Sequence, residues 1–236
     1  MTRVKQHNVE RLLANVKWAI AHDLGPRDLV PMLDNLARRA QPGSDIELFA
    51  RHELSALLAG TQPWRAARLC LDVLESAPDD ADAWSVLGLA HSMLGNYRCA
   101  RLAYLRARSL APDCAATAHN LGHLLDLAFD NPRGALPHLL SAYRLAPDEV
   151  EIAGSYAHAL VRVGRLRDAR RVLSQALPAE PARAEGLLAD WQARASAVGR
   201  KTASAAGQQA GTSSRQQQQA GSASPRRSAR RQGSEG

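Results

Sequence analysis

Three copies of the tripeptide Ala-Pro-Asp, at Ala77–Asp79, Ala111–Asp113 and Ala146–Asp148, punctuate the middle of this chain, and Pro181 follows in the same phase. The four prolines are spaced 34, 35 and 34 residues apart. A unit of that length holding two helical patterns cannot bury its apolar faces alone and has to stack them on its neighbours. The period predicts an all-α solenoid of helix hairpins. Only 4% of the residues are aromatic although 45% are hydrophobic, so alanine and leucine must do the packing. Small side chains suit closely crossing helices.

Alignment on the prolines gives four units: 47–80, 81–114, 115–149 and 150–183. In the second, Trp84, Leu87, Gly88 and His91 share one helical face, Gly95-Asn96 interrupts, and Ala100, Tyr104 and Ala107 line a second helix closed by Pro112. The third keeps Leu121, Gly122, Ala135, Leu139, Ala142 and Pro147, with one additional residue near Asp130-Asn131-Pro132. The fourth offers Ala153, Ala157, Gly164, Ala169, Leu173, Ala176 and Pro181. The first keeps Ala50, Ala66, Cys70, Val73 and Pro78 but has Leu54 where a small residue is expected.

Gly88, Gly122 and Ala157, facing Ala100, Ala135 and Ala169, predict close crossing within each hairpin. Each proline drives the alanine before it out of the α region, and the aspartate after it is expected to cap the next helix. Trp84, Tyr104 and Leu121 are expected in the core.

This arrangement resembles the tetratricopeptide repeat family, whose order of tryptophan, leucine, glycine, aromatic, alanine, aromatic and proline the second unit follows, with His91 replacing the usual tyrosine. The resemblance covers 137 of 236 residues. It implies a right-handed α-solenoid whose first helices line a concave groove that binds a peptide or a helix. Carried over by repeat position, the groove is expected to hold Arg51, His52, Ser55, Ser85, Leu89, Ser92, His119, Asn120, His123, Asp126, Ser155, His158 and Arg162. Some family members clamp acidic chaperone C-termini with lysine, asparagine and arginine. Here the corresponding positions are Ser85, Leu89, Asn120, Glu151 and Ser155, of which only Asn120 matches. One repeat earlier they are Arg51, Ser55, Val86, Ala116 and Asn120, which lack most of the required donors. The chain is therefore not expected to serve Hsp70 or Hsp90.

Residues 1–46 carry Leu12, Leu13, Val16 and Ile20, then Leu29, Leu33 and Leu36, at helical spacing around Gly25-Pro26. They are read as helices over 7–23 and 27–40, a hairpin capping the first unit. Residues 184–199, with Leu187, Leu188 and Trp191, are read as a capping helix. Residues 200–236 form a Gln/Ser/Arg-rich tail without large apolar side chains, which is expected to be disordered, with a reach of roughly 30–36 Å.

The tail carries a net charge of +6 out of the formal +7, leaving the body near neutral. Phosphate binding by the body therefore has little support from net charge. Arg226, Arg227, Arg230 and Arg231 offer weak contact to nucleic acid or another anionic surface. Cys70, Cys99 and Cys114 form no CxxC pair and are expected to be buried free thiols in a reducing compartment. With no apolar signal core and no membrane-spanning stretch, a cytoplasmic location is expected.

His119, His123 and Asp126 share a helical face, with His158 on the neighbouring helix, and histidines one turn apart can chelate zinc or nickel. Such a site also needs hydrogen bonds that fix the ligands, so no metal or other cofactor is expected. Phosphate loops, GxSxG elbows and HExxH pairs do not occur in the sequence. The expected function is a non-enzymatic scaffold or adaptor holding a peptide segment or helix of a protein partner. The alternatives are a secretion-type chaperone for an exported protein and a nucleic-acid-associated factor anchored by the tail. The oligomeric state is not encoded in any of these features.

Overall fold

The computed structural model describes residues 3–197, which form eleven helices and no strand. A first hairpin consists of α1 (Arg3–Ala21) and α2 (Pro26–Arg39). Four further hairpins follow: α3 (Asp45–Leu58) with α4 (Pro63–Ser76), α5 (Ala81–Met93) with α6 (Tyr97–Leu110), α7 (Ala115–Leu127) with α8 (Pro132–Leu145), and α9 (Val150–Arg162) with α10 (Leu166–Ala176). Helix α11 spans 181–197. The expected tail, 200–236, and its arginines lie outside the described residues.

Helix boundaries follow from local chemistry. Helix α3 begins at Asp45, ahead of the expected unit boundary at 47, because Ser44 accepts a hydrogen bond from the Glu47 N–H at 3.3 Å. The Glu47 carboxylate in turn accepts from the Gly43 N–H at 2.6 Å, so two otherwise orphaned donors are satisfied. At the ends of α4, α6 and α8, Ala77, Ala111 and Ala146 have ψ of 75°, 82° and 72°, outside the α region, as a following proline demands.

The capping expectation needs correction. Asp80, not Asp79, caps α5 by accepting from the Ala83 N–H at 2.8 Å. Asp79 lies one residue too early and pairs instead with Arg106 at 2.5 Å. The residues at the corresponding cap positions of α7 and α9, Cys114 and Glu149, make no side-chain cap.

The turns inside the last three hairpins use a left-handed residue, whereas the α3–α4 turn closes without one. Gly95 (φ 75°) and Gly164 (φ 82°) supply it in the second and fourth units, while Asp130 (φ 49°) does so in the third, beside its additional residue. Asn131 then caps α8 by accepting from the Gly134 N–H at 2.9 Å.

Tyr104 and Leu121 are buried, as are Leu33, Leu54, Cys70, Leu139, Leu160 and Leu173. Ala100, Ala135 and Ala169 are fully buried where the second helices cross the first. Leu54 takes the repeat position of Gly88, and Cys70 takes that of Tyr104. A large residue on the first helix is thus matched by a small one on the second, which conserves the volume of the pair.

Trp84 departs from its expected place in the core. It is half-buried, and its indole N–H donates to the Pro78 carbonyl at 2.8 Å. Among the cysteines only Cys70 is buried. Cys99 is exposed and Cys114 is partly so, accepting from the Thr117 hydroxyl at 3.2 Å. Trp18 and Trp64 are exposed, and α8 continues through Pro137.

Stacking is closest on one side. Each first helix also touches the next first helix, α3 with α5, α5 with α7, and α7 with α9. Second helices reach one another through side-chain tips, Tyr143 Oη donating to Gln175 Oε1 at 3.0 Å and Arg108 to Ser141 Oγ at 3.4 Å. The array therefore curves with its first helices on the inside. Helices α1 to α10 and the start of α11 belong to one compact unit that ends at Leu188, and the described residues from Ala189 onward fall in a second. In the second unit Arg194 pairs with Asp190 at 3.0 Å.

Candidate partner-binding groove

Three repeat positions face outward along the inner layer. Val86, Asn120 and Ser155 occupy the first, and Leu89, His123 and His158 the second. One helical turn further on, the third holds Met93, Leu127 and Arg162. The structure divides the expected groove residues between those that stitch neighbouring helices together and those left to meet a partner.

The stitching is extensive. Ser85 Oγ lies 2.8 Å from Thr117 Oγ1, joining α5 to α7. His119 Nε2 lies 2.9 Å from Ser155 Oγ, joining α7 to α9. Asp126, almost fully buried, accepts from His158 Nδ1 at 2.7 Å and from Arg162 Nη1 at 2.6 Å. Arg162 also donates to the Asp126 carbonyl at 2.5 Å and pairs with Asp130. The paired carboxylates raise the pKa of Arg162 against the opposing effect of its partial burial. A carboxylate buried this deeply persists because two donors compensate its lost hydration.

Several residues assigned to the groove serve packing instead. Ser55 is fully buried and donates to the His52 carbonyl at 2.7 Å. Arg51 is held between Glu47 at 2.8 Å and Asp72 at 2.9 Å. Ser92 donates to the Gly88 carbonyl at 3.0 Å. His52 is half-buried, 3.9 Å from Asp80. His119 is buried, and its pKa is lowered by burial and then by the adjacent His123. Burial also lowers the pKa of His91, whose Nδ1 is buried without a hydrogen-bond partner among the described residues.

The remaining accessible surface is compact. Asn120 is half-buried with no side-chain hydrogen bond among the described residues, and His123 is exposed, its Nδ1 only 3.5 Å from Ser155 Oγ. Leu89 and Val86 are partly exposed beside them. Met93 and Leu127 were missed by the repeat-position reading, yet they are 55% and 53% exposed at the ends of α5 and α7. Extending the spacing of Leu89 and His123 by one turn would have found both.

The possible metal set does not assemble. His158 is committed to Asp126, His119 to Ser155, and the His119 and His123 rings lie 5.7 Å apart at a 48° tilt. Among the described residues no three histidine, cysteine, aspartate or glutamate side chains converge to hold an ion. Burial raises the Cys70 thiol to about 11, far from thiolate chemistry at neutral pH.

Residues 126–190 match the tetratricopeptide repeat family model. Protein FlbA of Caulobacter vibrioides is 34% identical over 169 residues, 69% of this chain, and the chain spans only 27% of that relative's length. Among solved structures, TTC0263, a thermophilic TPR protein of Thermus thermophilus, is 16% identical with a TM-score of 0.60, covering 78% of this chain and 98% of its own. MamA of Desulfovibrio magneticus RS-1, from residue 41 to its end, gives 0.60 at 17% identity, covering 74% and 95%. YrrB, a TPR protein with an unusual peptide-binding site, gives 0.54 at 21% identity, covering 62% and 77%. At these identities the structures establish a shared solenoid fold.

Proposed function

The chain belongs to the tetratricopeptide repeat family, and from that premise we propose that it is a non-enzymatic scaffold whose inner helices α5, α7 and α9 hold a peptide segment or helix of a protein partner. One observation carries this reading: Asn120 stands accessible and uncommitted among the described residues, next to the exposed His123, on a surface whose neighbouring polar groups are locked into bonds between helices. The receptor is then preformed, so binding orders mainly the ligand. Asn120 offers both a donor and an acceptor to an extended backbone. Leu89, Met93 and Leu127 offer apolar contact beside it.

The test is affinity capture by the full chain carrying Asn120→Ala and His123→Ala, compared with wild type and with a chain lacking 200–236. A protein partner retained without the tail and lost with the groove substitutions is the expected result. Capture that follows the tail and disappears on nuclease treatment would replace this reading with nucleic-acid association. His158 is unsuitable as a groove probe, because its removal also strips a donor from buried Asp126.

Exposure of Met93 and Leu127 gives the groove more apolar surface than Leu89 alone, which favours a chaperone for apolar segments as the second reading. A ligand peptide whose affinity depends on its leucines and not on its backbone donors would select it.

A further inference from the structure

The near-zero net charge of the body conceals a segregation between its layers. Outer helix α6 carries Arg98, Arg101, Arg106 and Arg108 and no acidic residue, and α8 carries Arg133 and Arg144 and none. Arg98, Arg133 and Arg167 fall at one repeat position, the second residue of α6, α8 and α10, and all three are exposed. Among the described residues, none of the three has a salt-bridge partner. The acidic groups nearest in sequence to Arg133 and Arg167 are already engaged, Asp130 with Arg162 and Asp168 with Arg165, and α6 itself offers Arg98 none. A cation in the first turn of a helix is also opposed by the helix dipole, so the fold gains no stability from this placement.

The same edge is apolar between its charges. Leu102 is 63% exposed on α6, and Leu94 and Tyr97 are exposed at the turn before it. The following unit brings Phe129 against that turn, closing an open cleft of about 410 Å³ with Tyr97. The Arg101 guanidinium lies over the Phe129 ring, 5.3 Å from its centre. Aliphatic, aromatic and arginine side chains thus share one surface on a different face from the inner groove.

We propose that this edge, formed by the 94–102 segment with Phe129 and Arg133, is a docking surface for an anionic lipid bilayer. Arginines placed around exposed leucines match negatively charged headgroups above an apolar acyl boundary. Tyr97 has the amphipathic character suited to the headgroup level. A bilayer requires no shape-matched pocket. A phosphodiester chain would match the arginines but leave Leu94 and Leu102 unused.

The test is flotation of the full chain with vesicles of phosphatidylcholine alone or mixed equally with phosphatidylglycerol. Wild type should float with the mixed vesicles, less so as salt rises, and remain behind with phosphatidylcholine. Arg98→Gln, Arg101→Gln and Arg133→Gln together should weaken partitioning on the order of a hundredfold. Leu94→Ser with Leu102→Ser should weaken it while leaving the charge intact. Circular dichroism checks that both variants fold, and the unchanged tail contributes equally to all three proteins. Equal flotation of wild type and both variants would overturn the proposal and move any lipid contact to the tail. Absence of wild-type flotation would overturn it too. If that wild type instead binds a short RNA or an acidic amphipathic peptide that the arginine variant does not, the edge belongs to that partner.

Discussion

A Cβ atom on Gly88 would lie 2.6 Å from Cδ1 of Tyr104, closer than carbon atoms pack. Tyr104 is buried and cannot swing away, so the crossing of α5 and α6 depends on the missing methyl group. Gly88→Ala should lower stability by about 1–3 kcal/mol through overpacking, despite alanine's better helix propensity. Gly154 is the control, because a Cβ there meets nothing within 4 Å in the middle of α9. Gly154→Ala should raise stability by about 0.5–1 kcal/mol. Urea unfolding of the two variants should shift in opposite directions, and shifts of the same sign would refute the packing account.

Asp126→Ala should cost about 2–3 kcal/mol, since it removes charged hydrogen bonds to His158 and Arg162 from a buried position. The loss should appear as an earlier thermal transition. Asn120→Ala, which breaks no side-chain bond among the described residues, should leave that transition nearly unchanged.

Stability should fall in mild acid. Burial lowers the pKa of His91, His119 and His138 below the ordinary 6.5, so the unfolded chain takes up protons before the folded one. Within that interval the unfolded state binds more protons, which makes unfolding free energy increase with pH. Stability is therefore full above the unfolded value and declines as pH drops through it toward the lowered folded values. Urea midpoints between about pH 7.5 and 5.5 should decrease, and the slope should be shallower in His119→Gln. A flat profile in wild type would contradict this.

Thiol labelling should separate the cysteines. Cys99 is exposed on α6 and should react with a maleimide in the native protein, whereas Cys70 is buried with its pKa raised to about 11. Mass spectrometry should find Cys70 modified only after denaturation. Early modification of Cys70 would show that α3 and α4 open locally.

The hairpins were legible because their signals are local and repeat. Proline after alanine, glycine at a left-handed turn and a small residue at a crossing each act within a few residues or on the facing helix. The groove was only partly legible. Its repeat positions could be counted, but a polar residue on the inner layer reads the same whether it meets solvent or the next helix. Ser55 and Asp126 turned inward, while Met93 and Leu127 stayed in the open.

The solenoid, its period and the residues at its helix crossings can be read from the repeats alone, since stacked units obtain their core from contacts to nearest neighbours. Which side chains remain free emerges only in the folded array. That choice depends on the register between α5, α7 and α9, which places His119 beside Ser155 and Asp126 beside His158 and Arg162. The folded array also decides how charge is distributed, because helical phase sends Arg98, Arg133 and Arg167 to one edge of a nearly neutral body. Neither result follows from composition, because both arise from distances between residues separated by whole repeats.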